Sequence, residues 1–181
     1  MKPHDYRDLI AAYIDANYGL RDLVVYTEVS LGKTIIGKNR KLDLFVLRRS
    51  DQRAIALETK YQDVSGTTDE KIPYALQDLE ALWIPGCLVY AGRGWSKGVR
   101  HTLEGSRRAV QCLPERSSLA RTASTRELDH VLAAVFGLWD HVIPEERLFS
   151  KNPQLLLLPR GPRKAEPRPG PSEKKAAEGD S

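Results

Sequence analysis

The feature that most constrains the fold is a pair of strand-like segments separated by four polar residues. Residues 41–48 and 53–62 are rich in apolar, β-branched and aromatic types, which favour extended strands. The tetrapeptide Arg-Ser-Asp-Gln between them contains serine and aspartate, which are common in turns. The pattern predicts a β-hairpin in which side chains two positions apart share a face.

The segments around the hairpin predict further helices and strands. The expected elements are a helix at 5–17 capped by Asp5, a strand at 22–31, a helix from Pro73 to about Trp83, a strand at 87–91, and helices at 99–110 and 126–139. These assignments follow from apolar spacing together with capping, proline and glycine signals. The order α, β, β, β, α, β, α indicates an α/β (α+β) fold in which helices flank a central mixed sheet.

Length and composition indicate a single globular domain with a polar extension. The chain has 181 residues, of which 41% are hydrophobic and 29% charged, as in ordinary globular proteins. We expect one domain at 1–150 and a C-terminal extension at 151–181. From about residue 159 the extension contains almost nothing apolar, so it is expected to be disordered from there.

The chain shows no signal for export or membrane insertion. No apolar run approaches the roughly 20 residues that span a bilayer, and the N-terminus lacks the apolar core of a signal peptide. Cys87 and Cys112 lie in apolar settings typical of buried free thiols. These features predict a cytoplasmic protein. A net charge of +4 is compatible with a polyanionic partner without identifying one.

One face of the second strand of the hairpin carries the residues that are best suited to catalysis. Glu58 and Lys60 are two positions apart and project together, and the turn brings Asp43 of the preceding strand beside Glu58. Neighbouring carboxylates repel unless a cation lies between them, and such oxygen ligands suit Mg²⁺ or Mn²⁺. The backbone carbonyl of Thr59 is a candidate for a further metal ligand.

A metal held in this way is suited to phosphodiester hydrolysis, because it polarises the phosphate and lowers the pKa of a bound water. Lys60 would orient or deprotonate that water, or neutralise developing charge. The alternative is that Glu58 and Lys60 form an exposed ion pair, since Glu-x-Lys is a common sequence. The aspartate on the partner strand favours the catalytic interpretation.

With these residues in place, the chain resembles the PD-(D/E)XK nuclease superfamily. The matching motifs are Asp43 in Arg-Lys-Leu-Asp-Leu-Phe-Val and Glu58-Thr-Lys60 in Ile-Ala-Leu-Glu-Thr-Lys-Tyr-Gln, with Leu42 in place of the family's proline. The resemblance covers about residues 5–95 and implies a restriction-endonuclease-like αβββαβ core. It also implies DNA cleavage with Mg²⁺, or Mn²⁺ in its place, with Asp43 and Glu58 as ligands and Lys60 as the catalytic lysine.

The resemblance suggests additional site residues. Members often carry another acid upstream, for which Glu28 is the candidate and Asp15 its rival. Related nucleases place a glutamine near the site, so Gln62 and Gln77 are candidates for contacts with substrate or water. Plain strand or helix surface is the alternative for both glutamines.

Several polar and basic residues are candidates for DNA contacts. They lie in the segment entering the Asp43 strand, in the loop after the catalytic strand and in the glycine-rich loop at 92–98: Lys38, Asn39, Arg40, Lys41, Ser65, Lys71, Arg93 and Lys97. Their positive charges and hydroxyls would hold phosphates around the scissile bond. The alternatives are a plain basic turn and a surface loop with a packed Trp95.

The residues and the resemblance together predict a Mg²⁺-dependent endonuclease that cuts double-stranded DNA. The resemblance is to phage, mobile-element or restriction-type members of the superfamily. A homodimer would let each strand meet one site. The nearest alternative is a Holliday-junction or single-strand-specific nuclease of the same fold. The others are a catalytically inactive DNA-binding module and an interaction domain in which Glu58 and Lys60 merely pair.

Overall fold

A computed structural model describes residues 1–64 and 69–143. Its helices and strands are, in chain order, α1 (Pro3–Tyr18), β1 (Leu23–Lys33), β2 (Asn39–Arg48), β3 (Ala54–Tyr61), α2 (Ile72–Glu80), β4 (Gly86–Ala91), α3 (Lys97–Gly105), β5 (Ala109–Gln111), α4 (Arg126–Phe136) and α5 (Trp139–Val142). Ser65 and the extension at 151–181 lie outside the described residues. The division at residue 150 and the disorder from about 159 stay predictions.

The five strands form one mixed sheet in the order β1-β2-β3-β4-β5. β1, β2 and β3 are antiparallel neighbours, whereas β4 and β5 run parallel to β3. The predicted hairpin is confirmed: the Arg48 amide donates to the Arg53 carbonyl at 2.9 Å across the turn. The crossover from β3 to β4 passes through α2, as the sequence predicts.

Helices cover both faces of the sheet, which confirms the predicted architecture. α1 and α4 pack their buried side chains on one face, and α2 and α3 pack on the other. The alternation along β4 shows this arrangement directly, because Val89 belongs to the first core and Leu88 to the second. A strand that is buried on both faces requires a continuous apolar run, and the sequence of β4 provides one.

Some element boundaries differ from the prediction. The helix expected at 99–110 is present but shorter at its C-terminal end, because α3 ends at Gly105 and the short strand β5 follows, paired in parallel with β4. The helix expected at 126–139 ends at Phe136, where Gly137 adopts a left-handed φ of 67° that closes the helix. α1 begins two residues before Asp5, because proline is favoured in a first helical turn. α2 ends at Glu80, ahead of Pro85.

Cys87 and Cys112 are both buried free thiols, as predicted. Within residues 1–64 and 69–143, no helix has the length and apolar character needed to cross a bilayer.

Candidate active site

Asp43 lies where β2 and β3 separate. The backbone pairing of these strands ends at Leu44 and Leu57, although β2 remains paired with β1 as far as Asn39. Asp43 bridges the opening, since its Oδ2 accepts hydrogen bonds from the Thr59 amide at 2.8 Å and from the Thr59 hydroxyl at 3.0 Å. The carboxylate thus replaces the backbone partner that Thr59 would otherwise lack.

The backbone of β3 presents Thr59 to this opening. The amides of Ala56 and Gln62 donate to carbonyls of the β4 side, at Pro85 and Ala91. In a strand the N–H and C=O of one residue point to the same side and those of the next residue to the opposite side, so both backbone groups of Thr59 are directed toward β2. Its carbonyl oxygen, the candidate metal ligand, therefore lies on the Asp43 side of the strand.

Lys60 stands between the two carboxylates. Its Nζ lies 3.0 Å from Oε2 of Glu58 and 4.0 Å from Oδ2 of Asp43. All three side chains are partly shielded, with exposed fractions of 32% for Asp43, 21% for Glu58 and 25% for Lys60. The structure therefore brings the three predicted residues together where β2 and β3 separate, and each side chain remains partly accessible to a substrate.

The local electrostatics favour an additional cation. Burial, and after it the charge of Asp43, raises the pKa of Glu58 to about 7, while Lys60 opposes the shift. A carboxyl group that titrates near pH 7 is only partly ionised at that pH. A bound metal ion would stabilise its ionised form. Among the residues described, no cluster of three or more His, Cys, Asp or Glu is arranged to hold a metal. Two carboxylates and a backbone oxygen fit Mg²⁺, which commonly keeps several of its waters.

Two clefts flank Lys60. One, of about 250 Å³, is lined by Asp43 together with His4 and Arg7 from the start of α1. The other, of about 400 Å³, is lined by Glu58 together with residues of the β1–β2 hairpin and α2. Lys60 and Lys71 line both clefts. Two lysines therefore lie beside the carboxylates, and their positive charge suits a phosphate.

Glu28, the candidate third acid, is engaged by two cations. Its carboxylate pairs with Lys41 at 2.9 Å and with Arg7 at 3.0 Å, and these cations, Lys41 foremost, lower its pKa. Glu28 also has a left-handed φ of 57°, which is uncommon for a residue with a side chain. Asp15 is exposed near the end of α1. Glu28 lies opposite Asp43 between the Thr27–Leu44 and Val29–Leu42 pairs of the β1–β2 ladder, but within residues 1–64 and 69–143 neither Glu28 nor Asp15 forms a hydrogen bond or ion pair with Asp43, Glu58 or Lys60.

The basic residues before Asp43 divide into two groups. Arg40 is 6% exposed and forms a two-pronged ion pair with Asp78, with Nε and Nη2 each 2.9 Å from a carboxylate oxygen. Its guanidinium thus fastens β2 to α2, and burial removes it from a phosphate's reach. Lys38 and Asn39 are exposed near the turn between β1 and β2, and Lys41 lines the cleft that contains Glu58.

The remaining candidates lie at the edges of the site. Gln62 is 5% exposed, and its Nε2 donates to Asp69 Oδ1 and to the Gly94 carbonyl, both at 2.8 Å. It therefore ties the loop after β4 to the end of β3. Gln77, Arg93 and Lys97 are exposed and line neither cleft. In the same loop Trp95 is 5% exposed, which supports the packed-tryptophan alternative.

Sequence reasoning missed several cleft residues, among them His4, Arg7 and Tyr74. His4 and Arg7 are three residues apart, so helical spacing places both on one face of α1. Two basic side chains on one helical face were the signal available in the sequence. Which strand that face meets depends on how α1 packs across the sheet, which no local pattern reveals.

Comparison with known proteins identifies one family. The family model for the PD-(D/E)XK nuclease superfamily domain matches residues 2–139. No curated protein sequence is significantly similar to the chain. A solved structure, the crystal structure of a repair endonuclease from Pyrococcus abyssi, is similar with a TM-score of 0.33 and 15% identity over 56% of this chain. The match spans 44% of that protein, and at this TM-score it carries no argument about function.

Proposed function

Because this chain belongs to the PD-(D/E)XK nuclease superfamily, we propose that it is a Mg²⁺-dependent DNA endonuclease with Asp43, Glu58 and Lys60 as its catalytic centre. One observation supports this most strongly: the Lys60 ammonium lies 3.0 Å from Glu58 and 4.0 Å from Asp43 on adjoining strands. Phosphodiester hydrolysis needs both signs of charge at one point, and these three side chains supply them.

Asp43, Glu58 and the carbonyl oxygen of Thr59 are the proposed metal ligands. When bound, Mg²⁺ supplies charge that polarises the scissile phosphate and favours ionisation of the attacking water. Mn²⁺ prefers similar oxygen ligands and is expected to substitute. Asp43 keeps its orientation through its bonds to Thr59, so the donor set is arranged before substrate arrives.

Lys60 acts on the reacting groups. Its ammonium donates to Glu58 at 3.0 Å and is close enough to the carboxylates to orient a water held beside them. It also carries positive charge to the position where negative charge develops on the phosphate. Proton transfer and charge stabilisation by a positioned side chain typically contribute about 10²–10⁴-fold to a rate.

The cationic residues of the two clefts are proposed to bind the DNA backbone. Lys71 lines both clefts and is the leading candidate, whereas Arg7 and Lys41 line one cleft each and would have to exchange part of their pairing with Glu28 for phosphate. Contacts of this kind position DNA without reading its sequence. Two copies of the chain, one per strand, would cut a duplex on both sides.

A substrate panel tests the proposal. Supercoiled plasmid, linear duplex, single strands and four-way junctions are incubated with the protein in Mg²⁺, Mn²⁺ or EDTA. Cleavage with either metal and none in EDTA is expected, and the substrate cut fastest separates the duplex, junction and single-strand alternatives. Binding without cleavage on every substrate and with either metal would replace the nuclease by an inactive DNA-binding module.

A further inference from the structure

An apolar groove of about 350 Å³ lies between the end of β1 and the C-terminal end of α2. Its apolar walls are formed by Leu31, Leu82, Trp83 and Ile84. Trp83 is 94% exposed, although its indole is the largest side chain in the groove. A large exposed aromatic in an apolar recess marks a binding surface more often than an isolated exposed residue does.

The groove adjoins the proposed catalytic cleft. Arg40 lines both, and the cleft on its other side contains Glu58 and Lys60. The shared wall is held in place by Asp78, which accepts bonds from the Arg40 guanidinium and from the Ile35 amide at 2.9 Å. The groove is therefore formed before any ligand binds.

The charges around the groove identify the occupant. Lys33 lines the groove itself, and Lys41, which is exposed although it pairs with Glu28, lines the cleft beyond Arg40. An apolar, aromatic recess with cations on its approaches matches a nucleotide, whose base has flat apolar faces and whose neighbouring phosphates are anionic.

We infer that this groove holds one unpaired base of the DNA and that the phosphate next to this base lies at Lys60. This inference rests on the proposed nuclease function and refines it, because a base inside a duplex is stacked and cannot reach Trp83. The substrate is then DNA that is single-stranded, or locally unpaired, beside the cut.

Two strands with equal charge test the inference. A twelve-nucleotide oligothymidylate and a twelve-unit abasic strand carry the same phosphates, and only the first has bases. Binding is measured by fluorescence anisotropy in EDTA, where no cleavage is expected. Stacking of one base predicts a preference of roughly 5- to 150-fold for the oligothymidylate.

The decisive variant is Trp83→Ala, with Trp139→Ala as the matched control on α5, where the indole is 45% exposed. Trp83→Ala is expected to remove most of the base preference and leave the affinity for the abasic strand unchanged. Trp83→Phe retains an aromatic face and is expected to keep part of the preference. Far-UV circular dichroism verifies that each variant is folded.

Equal affinity of the wild type for both strands, or a preference that survives Trp83→Ala, overturns the inference. So does a wild type that sediments as a dimer and becomes monomeric with Trp83→Ala, since a second copy then fills the groove. Failure of the proposed nuclease function is a different result: the base preference is present, and no substrate is cut with either metal.

Discussion

Asp43 fastens the backbone of Thr59, because its Oδ2 accepts hydrogen bonds from both the amide and the hydroxyl of that residue. Thr59 separates Glu58 from Lys60 in the chain. The aspartate therefore has two separable properties, a charge that suits a metal and an acceptor that fixes the strand carrying the other two residues.

Asp43→Asn separates these properties, because the asparagine carbonyl still accepts a hydrogen bond but carries no charge. We expect single-turnover cleavage to fall by about 10²–10³-fold, since metal stabilisation is worth several kcal/mol. Urea denaturation in EDTA should show a change in unfolding free energy of under about 1 kcal/mol. A large loss of stability with full cleavage would reverse the assignment.

Glu58 should make stability depend on pH. Its pKa is raised by burial from 4.5 to about 7, so its contribution is fully present below the unfolded pKa and is lost as pH rises through the folded one. Without metal, the unfolding free energy should decline between about pH 5 and pH 8 by up to about 3 kcal/mol. Glu58→Gln should reduce that decline, as measured by urea denaturation in EDTA at several pH values. An identical pH dependence in the variant would contradict the pKa assigned to Glu58.

Glu28→Gln tests whether Glu28 is a metal ligand. Its carboxylate is engaged by Arg7 and Lys41, so the affinity for Mn²⁺ measured by calorimetry should stay within about threefold of the wild type, a difference of about 0.7 kcal/mol. Asp43→Asn is the positive control, with a much larger loss. A comparable loss in both variants would identify Glu28 as the third acid.

Asp78→Ala should destabilise the protein by removing the ion pair that joins β2 to α2. The variant leaves the Arg40 guanidinium, whose side chain is 7% exposed, without its carboxylate. Breaking one partner of a buried pair typically costs about 3–5 kcal/mol. Asp140→Ala is the control, because its pair with Arg21 is exposed and should contribute about 1 kcal/mol or less. Equal losses in the two unfolding experiments would mean that the Arg40 pair contributes no more to stability than an exposed pair does.

Lys71→Ala should weaken DNA binding without changing the chemistry. Lys71 is exposed and lines both clefts, as expected of a phosphate contact. The slope of log affinity against log salt should become shallower by about 1, since one phosphate contact is lost. The maximal single-turnover rate should be retained, with Lys97→Ala as a control outside both clefts. An unchanged slope would remove Lys71 from the interface.

Much of the fold was predictable because its signals are local. The hairpin at 41–62 and the buried run of β4 each show the periodicity of one element. β5 was missed, because three residues after two arginines carry too little pattern to separate a strand from a helix end. The break at Gly137 depended on a single glycine inside an otherwise helical stripe.

The site was predictable only where one hairpin contains it. Asp43, Glu58 and Lys60 lie on two adjoining strands, so their proximity follows from strand alternation. Arg40 and Glu28 were placed differently because their partners are distant in sequence: Asp78 is on α2 and Arg7 on α1. Charge in a sequence shows that a residue is basic, but not which acid neutralises it.

The most direct measurement of the central claim is a comparison of single-turnover cleavage rates in Mg²⁺ for the wild type, Asp43→Asn, Lys60→Ala and the double variant. Residues that act as one catalytic unit have strongly non-additive effects. The account predicts that each single variant loses about 10²-fold or more and that the double variant is scarcely slower than the worse single one. Cleavage at the wild-type rate by both single variants would contradict it.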